Sequence, residues 1–312
     1  VTHRAPRPAA RSARLSHSDL LARIRPDGYS EHGFALDVGG IEQSHVDIED
    51  PTAIRHEYLR RIAHVVDSGA EPGAPVRVLH LGAGALTLAR YVQATRPGSP
   101  QVVVEIEREL PDLVISALPL PRGTDLEVRI GDAAEELAAM GSDGSVGPVG
   151  PGGSVGPDGS VGSGGSAGPD GSGDRGGFDV IVVDVFSGQS TPAHLTREGF
   201  FADALEHLSE LGVMAVNVGD DAGLRFFAAQ ARALDAATEA AGLAGVWTLA
   251  DEHVVRALDE GNLVLAAGPG LERSGGADPE RLRERWRAGG PHPVVVLDPA
   301  ETSRLIGRIE GG

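Results

Sequence analysis

Cysteine is absent from this chain of 312 residues. Its absence excludes disulfides, a thiolate nucleophile and any Cys-ligated metal. Aromatic residues make up only 4% against 41% hydrophobic residues in all, so a globular core has to be built from Leu, Val, Ala and Ile. Positive charge is also scarce: 27 Lys and Arg stand against 45 Asp and Glu, a formal net charge of -18. Such a field disfavours non-specific binding to nucleic acid or to an anionic membrane and attracts cationic ligands such as polyamines, although acidity can equally serve solubility. No run approaches the roughly 18 apolar residues of a membrane span. Arg4, Arg7, Arg11 and Arg14 sit in a first stretch without acids, but no apolar segment follows as a secretion signal would require. Residues 1–30 therefore read as a disordered basic tail, and the protein as cytoplasmic.

Against these absences stands one informative segment. Val76 to Leu81 is an apolar run that breaks at Gly82-Ala83-Gly84 and passes into a helix-like stretch. About twenty residues on, Glu105 closes the next apolar run, where the dinucleotide fingerprint places its ribose-binding acid. The glycines would let backbone approach a ligand, and the acid would bond ribose hydroxyls. The fingerprint's third glycine falls on Thr87. A two-glycine turn suits an S-adenosyl ligand, which has no pyrophosphate to cradle, better than it suits NAD. A tight strand-to-helix turn holding nothing is the plainer alternative.

Gly33 to Ile48 alternates loosely around Gly39-Gly40 and predicts a small β-hairpin. Asp50-Pro51 predicts a helix start, with Ile54, Tyr58, Ile62 and Val65-Val66 on its apolar side. These make an N-terminal unit over 31–68. From 69 to 268, strands read as continuous apolar runs alternating with helices, which implies a mostly parallel seven-stranded sheet covered on both faces, an α/β Rossmann-like fold. Gly141 to Gly177 interrupts the order with Gly, Ser, Pro and Asp and reads as a flexible surface loop with no chemistry. Residues 269–312 form a C-terminal extension with a short helix at Pro279–Arg287 and a strand-like Val294–Leu297.

Four acids fall at or just beyond C-terminal strand ends, the edge where open α/β sheets bind ligands. They are Glu105, Glu107, Asp132 and Asp184. Glu105 suits ribose, since one carboxylate accepts from two hydroxyls. Asp132, in Gly131-Asp132-Ala133, suits an adenine amino group and equally suits a helix N-cap. Asp184 ends the most apolar strand, Val180 to Asp184, where a carboxylate facing a crevice could bind a cation or take a proton from an amine. Capping the next loop is the structural alternative. The histidines show no metal-ligand spacing, and there is no nucleophile elbow or Walker loop, so hydrolase and phosphoryl-transfer chemistry find no support.

The segment from about Gly33 to Ala267 resembles the spermidine synthases, the polyamine aminopropyltransferases, and looks like their divergent bacterial relatives. Five pieces occur in the family's order. Gly39-Gly40-Ile41-Glu42-Gln43 is similar to the hairpin Asp-Gly-Xaa-Xaa-Gln, and Tyr58 to His64 to Tyr-Gln-Glu-Met-Ile-Ala-His. Gly82 to Leu86 is similar to Gly-Gly-Gly-Asp-Gly, and Val104-Glu105-Ile106-Glu107 to the ribose-binding Glu-Ile-Asp. Asp184 to Gly188, followed by Pro192-Ala193 and Leu195-Thr196, is similar to Asp-Ser-Ser-Asp-Pro and its sequel.

The resemblance implies a class I S-adenosylmethionine-dependent transferase fold, no metal, a homodimer and a small-molecule amine substrate. It implies that decarboxylated S-adenosylmethionine, or S-adenosylmethionine itself, lies across the sheet edge. Glu105 would then hold ribose, Asp132 adenine, Gln43 and Tyr58 the cleft, Gly82 and Gly84 the close turn, and Asp184 would accept the amine's proton. Three family positions differ. The aspartate that anchors the donor's ammonium is Ala85, the glutamine after the tyrosine is Leu59, and the second aspartate of Asp-Ser-Ser-Asp is Ser187. Each lost charge-assisted bond is worth about 1.5–3 kcal/mol, which argues against ordinary transfer to putrescine. The alternatives are an S-adenosylmethionine-dependent methyltransferase and a non-catalytic adenosyl- or polyamine-binding module.

Overall fold

The computed structural model describes residues 11–141, 176–185, 191–274 and 279–311. Most of the Gly/Ser/Pro insertion, residues 142–175, lies outside them, as do residues 1–10 and the segment that contains Ser187.

The first unit is a four-stranded antiparallel sheet of β1 (Arg11–Arg14), β2 (Leu21–Pro26), β3 (Gly33–Val38) and β4 (Ile41–Asp47), in that order. The predicted hairpin is present, with Val38 paired to Ile41 across Gly39-Gly40. The predicted basic tail is corrected from residue 11 onward. Residues of β2 alternate, Leu21 and Arg23 outward, Ala22 and Ile24 buried. Hidden among arginines, that period of two is what builds the strand. Leu15, Ile24, Phe34, Leu36 and Val46 pack with Leu86, Val103, Leu110 and Val114 of the second unit.

Helix α1 (Glu57–Val66) begins later than Asp50-Pro51 predicts. The Asp50 carboxylate instead accepts from the Thr52 N–H at 3.0 Å and its hydroxyl at 2.5 Å, closing a local turn. Then follow β5 (Val78–Leu81), α2 (Thr87–Thr95), β6 (Pro100–Glu105), α3 (Glu109–Ala117), β7 (Asp125–Ile130), α4 (Ala133–Ala139) and β8 (Phe178–Val183). A 3-10 turn (Ala193–Thr196) leads to α5 (Glu198–Glu206), β9 (Leu208–Asp220), α6 (Arg225–Ala240), β10 (Trp247–Asp251), α7 (Glu252–Ala257) and β11 (Gly261–Ala267). The chain ends with α8 (Pro269–Ser274), α9 (Pro279–Gly289), β12 (Val294–Leu297) and α10 (Pro299–Glu310).

The large sheet has eight strands in the order β12-β10-β11-β9-β8-β5-β6-β7. Strands β7, β6, β5, β8 and β9 run parallel, while β11, β10 and β12 join antiparallel. The eighth strand, one more than the apolar runs of 69–268 supply, comes from the C-terminal extension. That extension is tied down by Trp286, which meets Trp247 edge-on at 5.6 Å and donates its indole N–H to the His64 carbonyl and Ser68 hydroxyl. From β5 the chain steps outward to β6 and β7, then returns to the other side of β5 with β8. The C-terminal ends of β5 and β8 thus form a topological switch point, the place where such sheets open a crevice. Among the described residues, no helix is long and apolar enough to cross a membrane.

Candidate active site

The turn after β5 is shaped by proximity. Gly82 has φ +99°, and a Cβ built there would lie 2.2 Å from the Asp184 carbonyl oxygen. Only glycine fits, because any side chain would drive the end of β5 into the end of β8. The Gly82 N–H donates to the Val104 carbonyl and the Asp184 N–H to the Leu81 carbonyl, so three strand ends are laced together. Gly84, φ +49°, faces the Ser44 hydroxyl of β4.

A cavity of about 390 Å³ opens over these strand ends, between the two sheets. All seven residues singled out from the sequence line it: Gln43, Tyr58, Gly82, Gly84, Glu105, Asp132 and Asp184. The Glu105 carboxylate accepts the Ala83 N–H at 3.0 Å and the Glu107 N–H at 2.9 Å. Burial raises its pKa, and these backbone bonds oppose the rise. A carboxylate offers about four lone-pair sites, so these bonds leave it capacity to accept from a ligand.

Asp132 caps α4, accepting from the Ala134 and Glu135 N–H groups with Oδ1, so the N-cap reading of that residue holds. Its Oδ2 lies 2.7 Å from His194 Nε2. Burial pushes the Asp132 carboxyl up, but the bonds from His194 and the two backbone groups outweigh it and hold the pKa below the usual range. Asp132 thus keeps an ionised acceptor at the cavity wall.

Asp184 ends β8 with its carboxylate at the meeting point of the strands. Burial lifts its pKa to about 6, partly offset by the Asn217 amide, which donates to Oδ1 at 2.8 Å. Tyr58 faces it; burial, and next the charge of Asp184, push the phenol well above its ordinary value and keep it a hydrogen-bond donor. Its hydroxyl reaches the Gln43 carbonyl at 3.5 Å.

Three features were not anticipated from the sequence. The β1–β2 turn roofs the cavity through Leu15, His17, Ser18 and Leu20. Its backbone is clamped by Glu107, which accepts from the His17 and Ser18 N–H groups at 2.9 and 2.8 Å. His194 is the second, a lone histidine in the 3-10 turn with no sequence signal of its own. Asn217 is the third, and it had one: a single amide inside the apolar strand Val213–Val218. It is 5% exposed, and its Oδ1 has no partner among the described residues. Asn217 lines a second, wider cavity of about 640 Å³, which shares Gln43 and Tyr58 with the first. His80, by contrast, is packed against Gln101 at 2.9 Å and kept neutral by burial, with a pKa of about 4.

No family model and no curated protein matches the sequence. Solved structures match the fold. A probable spermidine synthase from Corynebacterium glutamicum superposes with a TM-score of 0.73 over 96% of this chain and 94% of that one, at 23% identity. The fold is that of the spermidine synthases. A spermidine synthase in complex with the transition-state analogue AdoDATO covers 90% of this chain and 79% of its own, with TM-score 0.54 and 15% identity. The Thermotoga maritima spermidine synthase covers 95% and 83%, with TM-score 0.50 and 15% identity.

Proposed function

We propose that this chain is a spermidine-synthase-like transferase that alkylates an amine from an S-adenosyl donor, with aminopropyl transfer as its reaction. The observation that carries the reading is the position of Asp184. It stands at the sheet's switch point, on one cavity with Glu105 and Asp132, and its carboxylate is poised to take a proton near neutral pH. Glu105 takes the ribose hydroxyls and Asp132 the adenine amino group. The sulfonium then lies over the Gly82–Gly84 turn beside Asp184.

The chemistry asks little of the protein. Asp184 removes a proton from the acceptor ammonium, and the freed lone pair attacks the methylene next to the sulfonium. The carbon–sulfur bond breaks, sulfur keeps its electron pair, and the neutral thioether nucleoside leaves. Positioning and proton removal are the protein's contributions, worth about 10²–10⁴-fold for the base alone.

A decarboxylated donor fits better than S-adenosylmethionine. Among the described residues lining this cavity there is no Lys or Arg to receive a donor carboxylate, and Asp184 would repel it. Ala85 opposes neither donor, since it supplies no ammonium anchor and no charge against a carboxylate. The test is formation of methylthioadenosine from decarboxylated S-adenosylmethionine over a panel of amines. Asp184→Asn should cut turnover by a factor of about 10²–10⁴ with the donor still bound. Equal turnover in wild type and mutant would remove Asp184 from the mechanism.

A further inference from the structure

The second cavity lies across Gln43 and Tyr58 from the nucleoside cavity, and Asn217 joins the two by bonding Asp184 from its own wall. It contains groups of both signs. Arg61 of α1 lines it with a side chain only 3% exposed. Among the described residues the guanidinium lies within ion-pair distance of Glu57 at 3.3 Å, which is itself half exposed, and its buried Nε has no hydrogen-bond partner. A buried guanidinium so thinly compensated is costly in a pocket meant for a simple diamine, whose ammonium it would repel. It is well suited to a carboxylate, which pairs with the edge of a guanidinium through two parallel bonds.

On the same cavity, Asp251 caps α7 by accepting the His253 N–H with Oδ1 at 2.7 Å, a bond that engages one of its two oxygens. Its charge also supports Arg61. Glu42, the remaining acid, is already engaged by Arg25 at 3.0 Å. The cavity thus offers a guanidinium whose Nε edge is unpartnered among the described residues and a carboxylate that shares its field, together with the Asn217 Oδ1 acceptor, which has no partner among those residues, next to the proton-accepting carboxylate.

Resting on the transferase reading above, we propose that the acceptor is an amine with an amino-acid head, a diamino acid and not a plain diamine. Its α-carboxylate pairs with Arg61 and its α-ammonium with Asp251. The distal amine donates one N–H to Asn217 Oδ1, gives its proton to Asp184 and receives the transferred group. The product is a secondary amine that retains the amino-acid head, and the co-product is the same thioether nucleoside.

The test compares L-ornithine with putrescine, which differ by one carboxylate, and L-lysine with cadaverine for length. Each is used with the full chain and decarboxylated S-adenosylmethionine, with methylthioadenosine release as readout. The expected kcat/KM is at least about tenfold higher for the diamino acid. Arg61→Met should lower that ratio about ten- to a hundredfold. Should Arg61→Met fail to melt cooperatively, Asp251→Asn serves, because asparagine also caps a helix. It should lower kcat/KM for the diamino acid about tenfold. Preference for the diamine in the wild type, or variants that leave these values unchanged, overturns the inference and leaves the transferase standing. Absence of turnover with every acceptor overturns both.

Discussion

Asp184 carries two opposed demands, and they make a prediction about stability as well as rate. Its carboxyl has a pKa of about 6 in the folded chain, against about 3.9 in an unfolded one. An acid whose folded pKa is raised holds its proton more tightly in the native state. It therefore costs stability above pH 6 and none below about 4, with a ceiling near 3 kcal/mol for a two-unit shift. Asp184→Asn should raise the melting temperature at pH 7.5, and the gain should fade as pH falls from 6 to 4. A mutant less stable than wild type at pH 7.5 would contradict the assigned environment. For the same reason kcat/KM of the wild type should rise with pH up to about 6, because the base must be ionised. A flat profile between pH 5 and 7 would argue against it. At this scale the sequence was informative where chemistry forces a residue to a strand end, as for Glu105 and Asp184. It was silent on His194, whose position depends on how the 3-10 turn packs over α4. Asn217 lay between, since one amide in an apolar strand says that something pairs with it but not what.

Elements follow the same logic of what local pattern can carry. The alternating β/α order of 69–268 was legible because each buried strand is a continuous apolar run. Strands β1 and β2 were not, since their inward side is only Ala13, Ala22 and Ile24, interleaved with exposed arginines and the outward Leu21. Helix α10 was not predicted, although Asp298, Pro299 and Glu301 are start signals and the structure shows a full capping box there. Its partner strand β12 could be read as a strand, but its place beside β10 depends on long-range pairing that no local pattern encodes. Two variants test the element-level account. Gly82→Ala, which must push the ends of β5 and β8 apart, should destabilise by more than about 2 kcal/mol and abolish nucleoside binding. Trp286→Ala should cost about 3–5 kcal/mol in denaturant unfolding, because the indole is fully buried between α1 and β10. A loss below 1 kcal/mol in the latter would mean that the C-terminal extension is not part of the core.

The whole molecule combines a net charge of -18 with a carboxylate-lined cavity, a field that favours the approach of cations. Neither sheet makes the cavity alone. The large sheet supplies the floor, with Glu105, Asp132 and Asp184, and the small sheet supplies the roof through its β1–β2 turn. The sequence pointed to the floor, because its carboxylates stand at strand ends. The roof depends on backbone N–H groups captured by Glu107, which any residues at those positions could donate. The measurement that bears most directly on this arrangement is isothermal titration of the full chain with decarboxylated S-adenosylmethionine, repeated with Glu105→Gln. One site is expected in the wild type, weakened about tenfold or more by the substitution as ribose loses a charged acceptor. No measurable heat in the wild type, or equal affinity in the two proteins, would contradict it.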